Sequence, residues 1–174
     1  MDGWSVYIVP CANPDGVIDG ITKDGPGRTT IKEGIDLNRD FPDGFSVFTN
    51  PRNKTGNTSL IPSEAKALSS LVSGIKSQSN EMIVADMHGW ENTTIGNSEI
   101  GGYFDREFGF SHKGGLNGQG YFSSWAQSIG AKATLVELPW PNSSQDIINR
   151  AYSQKVTNAF LNILKNKKVT DTMT

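Results

Sequence analysis

His88, Glu137, Arg28, Asn38 and Arg39 are the residues of this chain whose types suit chemistry, and they stand at the ends of turn-like or strand-like segments. His88 follows the apolar run Met82-Ile83-Val84-Ala85-Asp86-Met87 and precedes Gly89. A neutral imidazole there can ligate zinc, with Asp86 or a backbone carbonyl orienting the ring from behind. The plain alternative is a histidine satisfied at a strand end. Glu137 lies inside Leu135-Val136-Glu137-Leu138-Pro139. A carboxylate in an apolar strand is costly unless paired or at work, and burial raises its pKa toward the range of a general base. On a sheet edge it would simply face solvent, since alternation sends Val136 and Glu137 to opposite sides.

Arg39 stands beside Asn38 in Asp36-Leu37-Asn38-Arg39-Asp40-Phe41. A guanidinium fork fits a carboxylate, and the neighbouring amide adds a second polar anchor. Arg28 follows Gly25-Pro26-Gly27 and suits a developing oxyanion. Singly, each arginine reads as a surface ion pair; the ordered set fits a metal-assisted hydrolase that grips a carboxylate. The metal side is thin, because the chain holds two histidines and one cysteine.

These residues need elements to hold them. Trp4-Ser5-Val6-Tyr7-Ile8-Val9 reads as a strand stopped by Pro10. Residues 12–27 are rich in Gly, Asp and Pro and read as loop. A helix opens at Pro62-Ser63-Glu64 with Ser63 as N-cap, and Ala65, Leu68, Leu71, Val72 and Ile75 share one face. The run 82–87 is a buried strand. Residues 92–120 are glycine-rich, with a short strand at Tyr103-Phe104. Tyr121 to Ile129 reads as a helix closed by Gly130, and 133–138 as a strand ended by Pro139. A final helix from Ser144 to Lys165 carries the stripe Ile148, Tyr152, Val156, Ala159, Phe160 and Ile163. Helices between apolar strands predict an α/β fold with a mixed, mostly parallel sheet between helices. In such sheets function gathers beyond the carboxyl ends of strands, where Pro10, His88 and Glu137 all stand.

The 174 residues predict one domain over 1–168 with a flexible tail at 169–174. A net charge of −2 predicts no broad basic surface for nucleic acid. No apolar run reaches the ~20 residues that span a bilayer. No signal peptide is expected in Met1-Asp2-Gly3-Trp4, which leads into the first strand, and the compartment stays open, since a longer parent protein could be cytoplasmic or exported. Cys11 reads as a small buried hydrophobe, a nucleophilic thiol being the sharper alternative.

The ordered pieces Asn13-Pro14-Asp15-Gly16, Arg28, Asn38-Arg39, Asp86-Met87-His88-Gly89 and Val136-Glu137 resemble the zinc metallocarboxypeptidases, the carboxypeptidase A-like peptidases. The resemblance extends to the small bacterial members, among them γ-D-glutamyl-diamino acid peptidases of cell-wall peptides. It implies a carboxypeptidase-like fold and a zinc cofactor. His88 would be the third zinc ligand and Glu137 the glutamate that activates the zinc-bound water. Arg28 would polarise the scissile carbonyl, while Asn38 and Arg39 bind the substrate's terminal carboxylate. Tyr121 either caps the substrate, as the family's mobile tyrosine does, or packs the following helix. Ser123 falls near the specificity pocket, where a small polar residue disfavours a bulky apolar side chain. The implied substrate is a peptide with a free carboxylate.

The family's first two zinc ligands, an H-x-x-E motif upstream of Asn-Pro-Asp-Gly, have no counterpart before Asn13. The chain therefore reads as a catalytic domain with its N-terminal part missing, those ligands residing in another segment or chain. The alternative is a non-catalytic, metal-free module that binds carboxylate peptides. His88-Gly89-Trp90-Glu91 itself reads H-x-x-E by coincidence. An atypical metal site from His88, Glu91 and His112 is the remaining possibility, although His112 reads as a surface residue. A shortened sheet would expose an edge, so self-association is expected, with sedimentation as its check.

Overall fold

The computed structural model describes residues 3–18 and 27–167. In chain order the elements are α1 (Pro14–Ile18), α2 (Ser63–Ser77), β1 (Ile83–Gly89), β2 (Thr93–Gly96), α3 (Ser98–Phe108), β3 (Ser111–His112), α4 (Phe122–Ser128), β4 (Lys132–Leu138), α5 (Ser144–Asn149) and α6 (Tyr152–Asn166). They fall into two compact units. The first comprises the described parts of Met1–Tyr7, Ile83–Leu116 and Lys132–Thr174; the second comprises those of Ile8–Met82 and Asn117–Ala131.

The first unit holds a four-stranded sheet in the order β1-β4-β2-β3. β1 runs parallel to β4 and β2 parallel to β3, while β2 and β4 are antiparallel. The sheet is therefore mixed and mostly parallel. Alternation splits β4 cleanly. Val136 joins Ile100 and Phe104 of α3 and Ala159 and Ile163 of α6 in a buried core, with Ile83, Ala85 and Leu138 packed against it. Glu137 points to the other face.

Helix α3 replaces the short strand predicted at Tyr103-Phe104. Ile100, Phe104 and Phe108 recur every four residues, a helical spacing that the glycines between them obscure. Asn97 caps the helix, its side chain accepting from Ile100 N–H at 3.0 Å, and Gly109 closes it in the left-handed region. Gly101 sits so close to the sheet that a Cβ there would meet Thr94 Oγ1 at 2.8 Å. A residue that weakens helix propensity is what lets this helix lie down on the strands.

The single final helix is also corrected. It breaks at Ala151, whose φ is +52°, into α5 and α6. Tyr152 restarts the chain with its ring buried and its hydroxyl donating to Pro139 O at 3.0 Å. Ile148, ahead of the break, is exposed and leaves the predicted stripe. The strand predicted from Trp4 to Val9 pairs with no described strand, and Val6, Tyr7, Ile8 and Val9 are exposed. β-propensity needs a neighbour to share the ladder. Cys11, which follows, is exposed rather than buried.

In the second unit the predicted loop after Ala12 contains α1, and Asn13 explains it. Its Oδ1 accepts from Gly16 N–H at 3.2 Å, while its Nδ2 donates to the carbonyls of Gly27 and Thr29 at 2.9 Å each. Gly16 is required because a Cβ would sit 2.3 Å from Asn13 Nδ2. The Asn-Pro-Asp-Gly motif is thus a clamp built around one amide that is 3% exposed. Asn13→Ala is expected to cost about 2–4 kcal/mol by stranding those partners, read from urea denaturation. Residues 19–26 of the predicted loop and the tail 169–174 lie outside the described residues.

Pro62, not Ser63, occupies the cap position of α2 and makes no side-chain cap bond; Ser63 Oγ binds Glu64 Oε2 instead. The buried line of α2 is Ala65, Ser69 and Val72, and Leu71 is exposed. Phe41 stacks with Trp125 of α4 at 5.6 Å between ring centroids and meets Phe122 at 5.1 Å.

Candidate active site

In the first unit, the parallel register of β1 and β4 sets His88 directly beside Glu137. Paired residues share a face, so imidazole and carboxylate emerge side by side at the carboxyl ends of two neighbouring strands. Glu137 is not on an edge: Thr93 of β2 flanks it on the other side. Its Oε2 is buried and, among the described residues, has no hydrogen-bond partner. Burial pushes the Glu137 carboxyl up from its ordinary value; His88 opposes this, while Glu91 and Asp86 reinforce it.

Asp86, two residues back on the same face, places Oδ1 3.1 Å from His88 Nε2. Facing that carboxylate, Nε2 carries the proton in the contact, which orients the ring. His112 lies on the opposite face. It pairs with Thr94, which pairs with Val136, and its Nδ1 is 3.1 Å from Thr94 Oγ1. His112 is therefore a partly buried strand residue, not a surface one. Glu91 is exposed and ion-paired to Lys113 at 2.8 Å. His88, Glu91 and His112 do not form a metal site.

The second unit gathers Asn38, Arg39 and Tyr121. Asp36 opens the turn at Leu37–Arg39 by accepting from Asn38 N–H at 3.1 Å. Asn38 Oδ1 then accepts from Phe122 N–H at 2.8 Å, 84 positions away, and so caps the start of α4. This orientation commits the amide oxygen to the helix. Arg39 Nη1 donates to Asn38 O at 2.8 Å, and its guanidinium lies 4.4 Å from the centre of the Tyr121 ring. Tyr121 thus packs on Arg39. Ser123 is fully buried, its Oγ without a hydrogen-bond partner among the described residues.

Arg28 is engaged in the same unit. Its Nε donates to Arg52 O and its Nη2 to Asn53 Oδ1, both at 2.8 Å, and Nη2 lies 2.8 Å from Asp36 Oδ2. It fastens two loops to the turn that carries Asn38 and Arg39. Missing from the sequence reading were Thr93, because strand β2 went unseen, and the bond from Asn38 to α4, which no local pattern announces.

The zinc expected from the resemblance can be tested against these groups. A catalytic zinc takes three protein ligands. Among the described residues no three His, Cys, Asp or Glu side chains are grouped to hold a metal ion. His88 offers one donor and Glu137 an unpartnered oxygen, which alone do not make a zinc site.

The mixed sheet thus carries an imidazole and a half-buried carboxylate side by side at the carboxyl ends of β1 and β4. The zinc carboxypeptidase profile matches residues 1–98, and the chain belongs to that family. It is 48% identical over 166 residues to bacteriocin BCN5 of Clostridium perfringens, covering 94% of this chain and 19% of that protein. The murein-tripeptide amidase MpaA from Escherichia coli O157 superposes with a TM-score of 0.65 at 22% identity, over 92% of this chain and 67% of that one. The carboxypeptidase A from Helicoverpa armigera gives a TM-score of 0.65 at 17% identity, over 92% and 52%. Both likenesses carry the carboxypeptidase-like fold. No helix among the described residues is long and apolar enough to cross a membrane.

Proposed function

We propose that this chain carries the general base and the carboxylate grip of a peptidase that cleaves next to a free carboxylate, with cell-wall peptides as substrates. The observation that carries the reading is Glu137, held in register beside His88 with one carboxylate oxygen buried and unpartnered. Burial of that carboxylate suits a base that takes a proton from an attacking water. Asn38 and Arg39 bind the substrate's carboxylate, and Tyr121 closes over it by leaving its stack on Arg39. Arg28 holds the turn that presents them, and its remaining role is polarising the scissile carbonyl. Ser123 favours a substrate without a bulky apolar side chain. The cell-wall class follows the MpaA likeness and the family resemblance. The zinc ligands besides His88 come from outside the described residues.

The gathering of Asn38, Arg39 and Tyr121 in one unit supports a second reading, a metal-free module that binds carboxylate peptides. One assay separates the two. With zinc supplied, the peptidase reading predicts release of the terminal diamino acid from murein tripeptide, lost in Glu137→Gln while tripeptide binding persists. Zinc retained by the wild type and lost in His88→Ala accompanies it. Tripeptide binding with neither release nor retained zinc is the signature of the binding module, and no binding contradicts both.

A further inference from the structure

Two exposed tryptophans stand on the loops that leave this same sheet edge. Trp90 follows His88 by two positions and is 43% exposed; Trp140 follows Glu137 by three and is 66% exposed. Their rings meet edge to face, with centroids 5.9 Å apart and planes at 76°. An indole pair that stays this open to water is unusual, because each ring gives up a large burial energy. Arg150 Nη1 fixes the backbone of the second, donating to Trp140 O at 3.0 Å and to Asp146 Oδ2 at 3.0 Å. Polar residues stand near each ring in the chain: Glu91 and Asn92 after Trp90, and Asn142 beyond Pro141 after Trp140.

The chemistry of such a corner is specific. Two faces near a right angle offer one wall for stacking and a second for lateral contact. A pyranose presents C–H groups on its faces and hydroxyls round its rim, so its faces suit an indole and its rim suits carboxylate and amide groups. A protein partner would call for a broader continuous apolar patch than two rings bordered by polar residues. The corner also adjoins the strand ends that hold His88 and Glu137, where a peptide still attached to a sugar would bring that sugar.

We propose that Trp90 and Trp140 form a glycan subsite that stacks an N-acetylhexosamine ring, so that the substrate class includes peptides still linked to sugar as well as free peptide. This deepens the peptidase reading of the same edge and rests on it for the substrate. The test does not depend on hydrolysis. The probe is peptide-free tetra-N-acetylchitotetraose, titrated into the intact chain and followed by tryptophan fluorescence and calorimetry. Wild type is expected to bind with a fluorescence change, Trp140→Ala and Trp90→Ala to lose about tenfold or more in affinity, and Trp140→Phe to keep most of it. Both rings are solvent-exposed, so the variants should fold, which far-ultraviolet circular dichroism checks. No binding of the oligosaccharide by wild type, or equal binding by the alanine variants, overturns the subsite. Murein tripeptide, which has no sugar, is titrated in parallel. Its binding reports on the peptidase reading, so the two ideas fail separately.

Discussion

Glu137→Gln is expected to raise stability at neutral pH while removing catalysis. The first effect follows from burial. The native state raises the Glu137 pKa above its ordinary value of 4.5, so it binds that proton more tightly than the unfolded chain does. Stability contributed by this group is then fully present below pH 4.5 and is lost as pH rises through the folded pKa. Glutamine keeps the shape and removes the titration. The melting temperature of the variant should match wild type in acid and exceed it by ~2–4 °C at pH 7, on the order of 1 kcal/mol. Water on the open side of the carboxylate keeps the gain at that size. The second effect has the opposite sign: on the proposed peptidase reading, losing the general base lowers turnover by about 10²–10⁴-fold where the metal site is complete. Melting curves from pH 4 to 8 check the first part. A variant less stable than wild type at pH 7 would mean that the carboxylate is a structural partner.

Gly120→Ala should be among the most damaging single-methyl additions in the chain. Gly120 has φ +73°, and its Cβ would lie 2.1 Å from Arg39 O and 2.6 Å from Arg39 C. The backbone cannot retreat freely, since Phe41 N–H donates to Gly120 O at 3.0 Å and Gly120 N–H to Asp43 O at 2.8 Å. Left-handed strain accounts for ~1–2 kcal/mol, and displacing the Arg39 backbone brings the total to about 3–5 kcal/mol. Gly114→Ala is the control. Gly114 also has positive φ, +97°, but nothing lies within 4 Å of its Cβ. Urea denaturation of both variants measures the difference; equal losses would remove the steric argument. Because the Arg39 backbone is what the added methyl displaces, Gly120→Ala should also weaken the carboxylate grip proposed for Arg39.

Much of this was legible in the sequence where one face of an element is uniform. Strands β1 and β4 and helix α4 were read from compact apolar runs and a closing glycine. His88 and Glu137 were legible because each ends such a run. Helix α3 was not, because Gly101 and Gly102 mask an every-fourth-residue pattern, and Gly101 serves packing on Thr94 instead. Strand β2 was missed because Thr93 and Thr94 are buried polar residues, satisfied by bonds to Ser111 O and Asp105 Oδ1 that no local rule foretells. Residues 4–9 misled in the other direction, since strand-forming side chains do not create a partner strand. The sequence presents Arg28 as suited to a developing oxyanion, whereas its three contacts with Arg52, Asn53 and Asp36 exist only in the fold.

The most direct test of the account is calorimetric titration of the chain with murein tripeptide and with the same peptide as its C-terminal amide, in wild type and Arg39→Ala. Nothing in this measurement depends on metal. The account predicts that wild type prefers the free carboxylate by about tenfold or more and that Arg39→Ala binds the acid no better than the amide. Equal binding of acid and amide by wild type, or a preference that survives Arg39→Ala, would contradict it.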